Sequence, residues 1–437
     1  MGRHRVVILG GGFGGLYTAK ALRRAAVEVT LVDKRNFHLF QPLLYQVATG
    51  SLSPGEIASP LRSVLSGQRN TRVLLGEAVD LDPRRKVLIL ADHGADGEIP
   101  YDTLVVATGA RDAWFGHDEW AQHAAPLKTI EEAVRIRHRI LYAFEAAERE
   151  QDPEKRRQWL TFIVVGAGAT GVELAGALGE IANDTLKHDF RSIDPKQARI
   201  LLLDGASRVL PPYPEDLSRK AEASLIRVGV RPYAGVRVVG IDESGVNVEH
   251  GDGRTEHLAA RTVIWAAGVR ASAFGEILAR RAGAALERGG RVVVGPDLSL
   301  PGYPEIFVIG DLAHTTDRQG RPLPGVAQVA MQQGSYVARL IRRKTGGRRT
   351  GGGAPNKPFR YRDRGDLAVI GRAAAVARIG GFHLSGFLAW LIWLFVHLMY
   401  LVEFSNRLLV FIHWGFLYLT FNRGARLITG AEGPEEL

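Results

Sequence analysis

Two copies of the spacing Gly-x-Gly-x-x-Gly constrain this chain more than any other feature. The first follows Val6-Val7-Ile8-Leu9 as Gly10, Gly12 and Gly15. The second follows Phe162-Ile163-Val164-Val165 as Gly166, Gly168 and Gly171. In each, a short apolar run meets glycine and then small residues, which reads as a strand turning into a helix. The first glycine permits the tight turn, the second lets backbone N–H groups approach a pyrophosphate, and the third lets the helix lie close to the strand. The helix N-terminus then faces the anion with its partial positive charge. One such spacing is weak, because glycine is common and these glycines can serve helix–strand packing alone. Two in one chain suggest two nucleotide groups that meet, most economically a flavin and a nicotinamide.

The stretches after the two motifs repeat each other. A second strand ends in an acid in both, Val29-Thr30-Leu31-Val32-Asp33 and Ile200-Leu201-Leu202-Leu203-Asp204. Short alternating strands follow, and an apolar strand closes each copy, at Thr108-Gly109 and at Ala267-Gly268. The fold class expected is α/β, with two Rossmann-like dinucleotide-binding domains and a C-terminal helical module. The strand Glu305-Ile306-Phe307-Val308-Ile309 comes after the second copy but resembles a missing strand of the first. The second domain is therefore read as inserted into the first. The boundaries expected are 1–112 and 269–345 for the first domain, 113–268 for the second, and 346–437 for a linker and C-terminal module. Gly346 to Gly353 reads as a flexible linker by composition.

An acid at the end of the second strand can accept hydrogen bonds from an adenosine ribose. Asp33 lies 23 residues after Gly10, near the usual distance, whereas Asp204 lies 38 after Gly166. The excess implies a longer helix and loop. A carboxylate also repels a 2′-phosphate, so Asp204 favours NADH over NADPH, although Arg208 nearby weakens that inference. Asp311, before a helix expected from about Gly325, is read as binding ribityl hydroxyls or as capping that helix. The helix N-terminus would favour a negatively charged flavin by roughly 0.3–2 kcal/mol. Glu173 sits early in the second nucleotide helix, as a titratable group near the nicotinamide or as compensation for the helix dipole.

The chain has no cysteine. A redox-active disulfide, thiolate zinc and cysteine-held iron–sulfur clusters are thereby excluded within it, and no metal is required. The formal charge is +10, and it is uneven. Between Arg342 and Arg372 ten Lys/Arg face only Asp363 and Asp366. A strand expected within about five residues of the N-terminus leaves no room for a leader, which points to the cytoplasmic side.

Several longer stretches narrow the reading. They are Asn36-Phe37-His38-Leu39-Phe40-Gln41-Pro42-Leu43-Leu44-Tyr45-Gln46-Val47-Ala48-Thr49-Gly50, then Gly166 through Gly176, Ile309-Gly310-Asp311, and Ala327-Gln328-Val329-Ala330-Met331-Gln332. With the aromatic C-terminus, they make the chain resemble type II NADH:quinone oxidoreductases, single-subunit flavoproteins of respiratory membranes that pump no protons. The resemblance implies FAD on Gly10, Gly12, Gly15, Asp33, Thr108, Gly109 and Asp311. It implies NADH on Gly166, Gly168, Gly171, Glu173 and Asp204. It places a membrane quinone near Gln328 and Gln332, which share a helix face at four-residue spacing and are otherwise ordinary polar positions.

Phe382 to Val402 contains 21 residues without Lys, Arg, Asp or Glu, and Leu408 to Phe421 contains 14. The first is just long enough to span a bilayer and the second too short. Lying in the interface, spanning as a hairpin, and forming a buried protein contact all stay open from the residues. The family favours the interface, and the basic segment beside it suits an anionic lipid surface. The expectation is therefore a peripheral (monotopic) flavoenzyme on the cytoplasmic side of the inner membrane, with Glu173, Gln328 and Gln332 in the chemistry. A homodimer is expected on base rates, and no nucleic-acid partner. The alternative is a flavoprotein reductase of a soluble carrier, of the ferredoxin-reductase type, which would not need the apolar tail.

Overall fold

Both glycine turns are built alike in a computed structural model of the chain, which describes residues 2–91, 97–346, 357–420 and 423–428. Gly10 and Gly166 hold φ at +104° and +103°, a region closed to most L-residues. A Cβ added at Gly15 would lie 1.8 Å from the Gly10 carbonyl oxygen, and one at Gly171 would lie 1.8 Å from that of Gly166. The first glycine supplies the turn and the third lets the helix close over it.

The chain divides into two compact units. The first comprises Met1–Leu39, Ala58–Arg111 and Val269–Asp363; the second comprises Phe40–Ile57, Asp112–Gly268 and Arg364–Leu437.

In the first unit, His4–Leu9 pairs in parallel with Val27–Asp33 on one side and Thr103–Val106 on the other. Tyr303–Val308 joins Thr103–Val106 in parallel, and Thr71–Leu75 extends the far edge. Val6, Val7, Ile8 and Leu9 are all buried, so the run is apolar throughout rather than alternating, as a sheet covered on both faces requires. One face carries Leu81, Leu88, Tyr101, Phe274 and Leu278. The helices Phe13–Ala21 and Ala327–Thr345 also belong to this unit.

In the second unit, Thr161–Val165 lies between Thr262–Trp265 and Arg199–Asp204 in a five-stranded parallel sheet. The helix Ala169–Glu180 continues into a π-helical turn at Ile181–Thr185, and a 3-10 turn at Pro195–Gln197 precedes the strand Arg199–Asp204. These insertions account for the long interval to Asp204. The helix Ile130–Arg149 starts with a reciprocal cap. Thr129 accepts from the Glu132 N–H, and the Glu132 carboxylate accepts from the Thr129 N–H.

The C-terminal part differs from the helical module expected. It opens with a three-stranded antiparallel sheet, Asp366–Gly371, Ala374–Ile379 and Phe382–Gly386. Helices follow at Phe387–Tyr400 and Phe404–Thr420. The long uncharged run is thus split. Its first residues, Phe382-His383-Leu384-Ser385, alternate apolar and polar, the period of a strand, and a tally of charges cannot register that. The helix that remains has 14 residues, about 21 Å at 1.5 Å per residue. Among the described residues, no helix is long and apolar enough to cross a membrane. The stretch from Gly346 to Gly353 read as a linker lies, after Gly346, outside the described residues, which omit 347–356.

Candidate active site

At the first turn, Asp33 closes the loop from the neighbouring strand. Its Oδ2 accepts the Gly11 N–H at 2.5 Å and its Oδ1 accepts that of Arg35 at 2.7 Å. Burial pushes its carboxyl above the usual range, and these two N–H groups oppose the shift. The helix Phe13–Ala21 starts at Gly12 with no side-chain cap. A Cβ at Gly12 would meet nothing within 4 Å. Uncapped N–H groups facing open space suit an anionic pyrophosphate.

Sequence reasoning missed the role of His38 here, although it lies within a quoted stretch. His38 is buried, and its Nδ1–H donates to the Gly11 carbonyl at 2.9 Å. Its edge meets Phe13 with ring centroids 5.0 Å apart. Burial holds its pKa down to about 4, so it is neutral. Its Nε2 is buried with no partner among the described residues, an acceptor left for a bound group. Thr108 Oγ1 lies 2.5 Å from Ser272 Oγ, and Gly109 follows it in the chain.

Asp311 sits in a short 3-10 turn, Gly310–Leu312, and is not a helix cap. The helix Ala327–Thr345 starts at Val326 without a side-chain cap. The Asp311 carboxylate lies beside Gly325, two residues before that helix begins. The turn is pinned by Gln333, a second residue missed. Fully buried, it accepts the Gly310 N–H at 2.6 Å and donates to Thr315 Oγ1 at 3.2 Å. Gln328 and Gln332 lie on the same helix, both half-buried. The Gln332 amide is already committed, since it donates to the Arg362 carbonyl at 2.9 Å and accepts the Arg362 N–H at 3.0 Å.

The second turn repeats the lock. Asp204 accepts the Ala167 N–H at 2.6 Å and that of Ala206 at 2.7 Å. The helix Ala169–Glu180 starts at Gly168 without a side-chain cap, and a Cβ there would again meet nothing within 4 Å. In front lies a cavity of about 640 Å³ lined by Gly166, Gly168, Asp204, Gly205, Val236 to Val239, Ala266 to Gly268, and the rings of Phe115, His117, Trp120 and Trp265. Arg208, the cation suggested by sequence, does not line it. Its Nη2 donates to the Pro211 carbonyl at 2.9 Å. Arg237 lines it instead, held in an ion pair by Glu249 across the hairpin. Sequence distance could not reveal this, because pairing in the hairpin brings Arg237 opposite Glu249.

Glu173 borders a smaller cavity of about 100 Å³ with Gln41, Tyr45, Lys128 and Thr170. Its carboxyl is buried, and that burial pushes its pKa up to about 8, against a Val369 N–H at 3.4 Å and the Trp393 indole. It therefore carries a proton at neutral pH, which removes dipole compensation as its purpose. Tyr45 beside it accepts from Gln46 at 2.9 Å, and Gln46 accepts from Trp414 at 2.8 Å. In the C-terminal helices, Trp393 and Trp414 face inward, while Leu388, Leu391, Phe395 and Met399 on the first and Leu408, Ile412 and Phe416 on the second are exposed.

A family described as pyridine nucleotide-disulphide oxidoreductase matches residues 4–334, and one described as the NDH2 C-terminal domain matches residues 364–420. The chain is 47% identical over 427 residues to the type II NADH:quinone oxidoreductase Ndh of Mycobacterium tuberculosis, covering 98% of this chain and 90% of that protein. It is 32% identical over 391 residues to the type II NADH:quinone oxidoreductase of Staphylococcus aureus, with coverages of 88% and 92%. In fold it is similar to NDH2 from Plasmodium falciparum in complex with NADH, with a TM-score of 0.86 at 19% identity, covering 98% of this chain and 100% of that one. The disulphide in the family description has no counterpart here, as the chain has no cysteine. On these matches, the chain belongs to the type II NADH:quinone oxidoreductases of the pyridine nucleotide-disulphide oxidoreductase family.

Proposed function

We propose that this chain oxidises NADH and reduces a membrane quinone through FAD, without pumping protons. The observation that carries the reading is the doubled nucleotide site. Two uncapped helix N-termini each face open space, and each is locked by an acid from the next strand. Membership of the family supplies the substrate classes.

In this reading residues 1–112 and 269–345 hold FAD and 113–268 hold NADH. Gly10, Gly12 and Gly15 with the first-turn N–H groups hold the flavin pyrophosphate, Asp33 the adenosine ribose, Asp311 the ribityl hydroxyls, and Thr108-Gly109 the neighbouring backbone wall. Bound FAD supplies the two-electron relay between nicotinamide and quinone. Gly166, Gly168 and Gly171 hold the NADH pyrophosphate, and Asp204 orients its ribose and disfavours a 2′-phosphate. Glu173 keeps a proton up to about pH 8, so it offers a hydrogen-bond donor in place of a fixed anion. Gln328 and Gln332 are assigned to the quinone headgroup. Gln332 reaches a quinone carbonyl only by releasing the Arg362 backbone.

Residues 346–437 are assigned to docking on an anionic leaflet, on the cytoplasmic side of the inner membrane. The exposed apolar faces of the helices Phe387–Tyr400 and Phe404–Thr420 support this. Arg360, Arg362 and Arg364 lie earlier in the same segment. A homodimer completes the reading. A soluble-carrier reductase would leave the apolar faces without a purpose. Flotation of the full chain with vesicles tests docking. Binding is expected to be stronger to anionic vesicles and to persist at high salt, and a protein that stays with the soluble fraction on both vesicle types contradicts it.

A further inference from the structure

Phe115 is badly placed for a phenylalanine. Its φ is +54°, a left-handed conformation that a bulky side chain adopts only under constraint from its surroundings. It is 68% exposed, so packing in a core does not explain the constraint. It lines the cavity in front of Gly166. A Cβ added at Gly268 would come within 2.4 Å of its ring, so that glycine leaves the room the ring occupies. Behind it, Trp265 is fixed by an N–H donated to the Ala113 carbonyl at 3.1 Å and is stacked on Trp114 at 5.0 Å. The Phe115 ring centroid lies 6.1 Å from that of Trp265. A strained turn braced on the buried Trp265, itself stacked on the partly buried Trp114, thus presents one apolar ring to the cavity.

Sheet order says which part of a dinucleotide the ring meets. The strand ending at Asp204 lies on one side of the strand leading to Gly166, and the strand leading to Gly268 lies on the other. With the adenosine ribose at Asp204 and the pyrophosphate at Gly168, the remaining half extends toward Gly268. The geometry points to Phe115 as a positioning residue for the nicotinamide riboside half of NADH, its ring forming the apolar wall against which that half packs. The assignment rests on reading this cavity as the NADH site.

The test uses the full-length flavin-loaded protein with Phe115→Gly, Phe115→Leu and Phe115→Tyr. Thermal stability, flavin content, and dissociation constants for NAD⁺ and 5′-AMP are measured, with kcat and KM for NADH. Phe115→Gly removes both strain and ring. Its melting temperature should match or exceed that of the parent, while NAD⁺ binds roughly tenfold more weakly and 5′-AMP is unaffected. The NADH KM should rise with it. Phe115→Leu should show the same pattern at smaller amplitude, and Phe115→Tyr should restore binding to within about twofold. A folded Phe115→Gly or Phe115→Leu variant with unchanged NAD⁺ affinity overturns the assignment. So does an equal loss of NAD⁺ and 5′-AMP affinity. Failure of the parent protein to bind either nucleotide would instead defeat the reading of the cavity, whatever Phe115 does.

Discussion

The two glycine turns share a lock and differ in what surrounds it. At the first, buried polar groups brace the turn and its neighbours: His38 holds the Gly11 carbonyl and Gln333 pins the Gly310 turn. At the second, the same turn opens onto a cavity of about 640 Å³ lined in part by an exposed phenylalanine and an arginine in an ion pair. Buried polar scaffolding that leaves the His38 Nε2 acceptor open suits a resident group, because an unpaired buried polar atom is costly until something pairs with it. A roomy cavity with a partly apolar wall suits a substrate that must leave after each turnover. On the proposed reading, the repeat supplies pyrophosphate binding twice, and the surroundings divide it into cofactor and substrate.

The strongest way to break that comparison is to close each turn in the same way. In Gly15→Ala and Gly171→Ala the new Cβ meets a carbonyl oxygen at 1.8 Å, which forces the helix off its strand. Gly15→Ala should yield colourless, unstable protein. Gly171→Ala should keep its flavin absorbance while the NADH KM rises by about a hundredfold or more. Loss of colour in both, or in neither, would show that the two sites are not separable as described.

The acids should behave differently as well. Asp204→Asn replaces an acceptor of two N–H groups and, on the proposed reading, of the ribose, and should weaken NADH about tenfold while narrowing the preference over NADPH. Flavin content should stay at the parental level, as measured by absorbance. If NADPH remains excluded to the same degree, discrimination resides elsewhere, with Arg237 and Glu249 the first place to look.

Much of this was legible in the residues and some was not. The glycines at 10 and 166 and the acid Asp33 stand out in the residues through local spacing, whereas Asp204 stands out only as the acid that closes its strand. Gln333 and His38 do not, because their partners, Gly310 and Gly11, are 23 and 27 residues away and no local pattern marks them. Arg208, close to Asp204 in sequence, does not line the cavity, whereas the hairpin brings Arg237 to it. The sheet Asp366–Gly371, Ala374–Ile379 and Phe382–Gly386 was hidden by a tally of charges that ignored the alternation at Phe382 to Ser385. Glu173 reads as an ordinary acid early in its helix, whereas in the structure it is buried and lies beyond the first turn.

That burial gives a prediction in pH. The folded pKa of Glu173, about 8, exceeds the unfolded value near 4.3. The folded state therefore binds more protons, and stability falls as pH rises between these values, with the loss complete above about 8. Glu173→Gln should remove that slope, so the variant gains most over the parent above pH 8. Melting temperature followed from pH 5 to 9 checks this, and parallel curves for the two proteins would refute the buried, protonated state. The smallest effect expected is at Gln332. Gln332→Ala loses two backbone hydrogen bonds to Arg362, about 1–3 kcal/mol at most. It should lower quinone turnover while NADH still bleaches the flavin, as should Gln328→Ala. Stopped-flow bleaching compared with quinone turnover separates the two half-reactions, and equal loss of both would argue against a quinone-site role.

The central claim is that one chain without sulfur chemistry joins a soluble hydride donor to a lipid-soluble acceptor through a flavin. Anaerobic titration of the purified protein tests it most directly. One equivalent of NADH should bleach the flavin absorbance, and one equivalent of a short-chain quinone should restore it. A flavin that NADH leaves oxidised, or that stays bleached after quinone is added, would contradict the account.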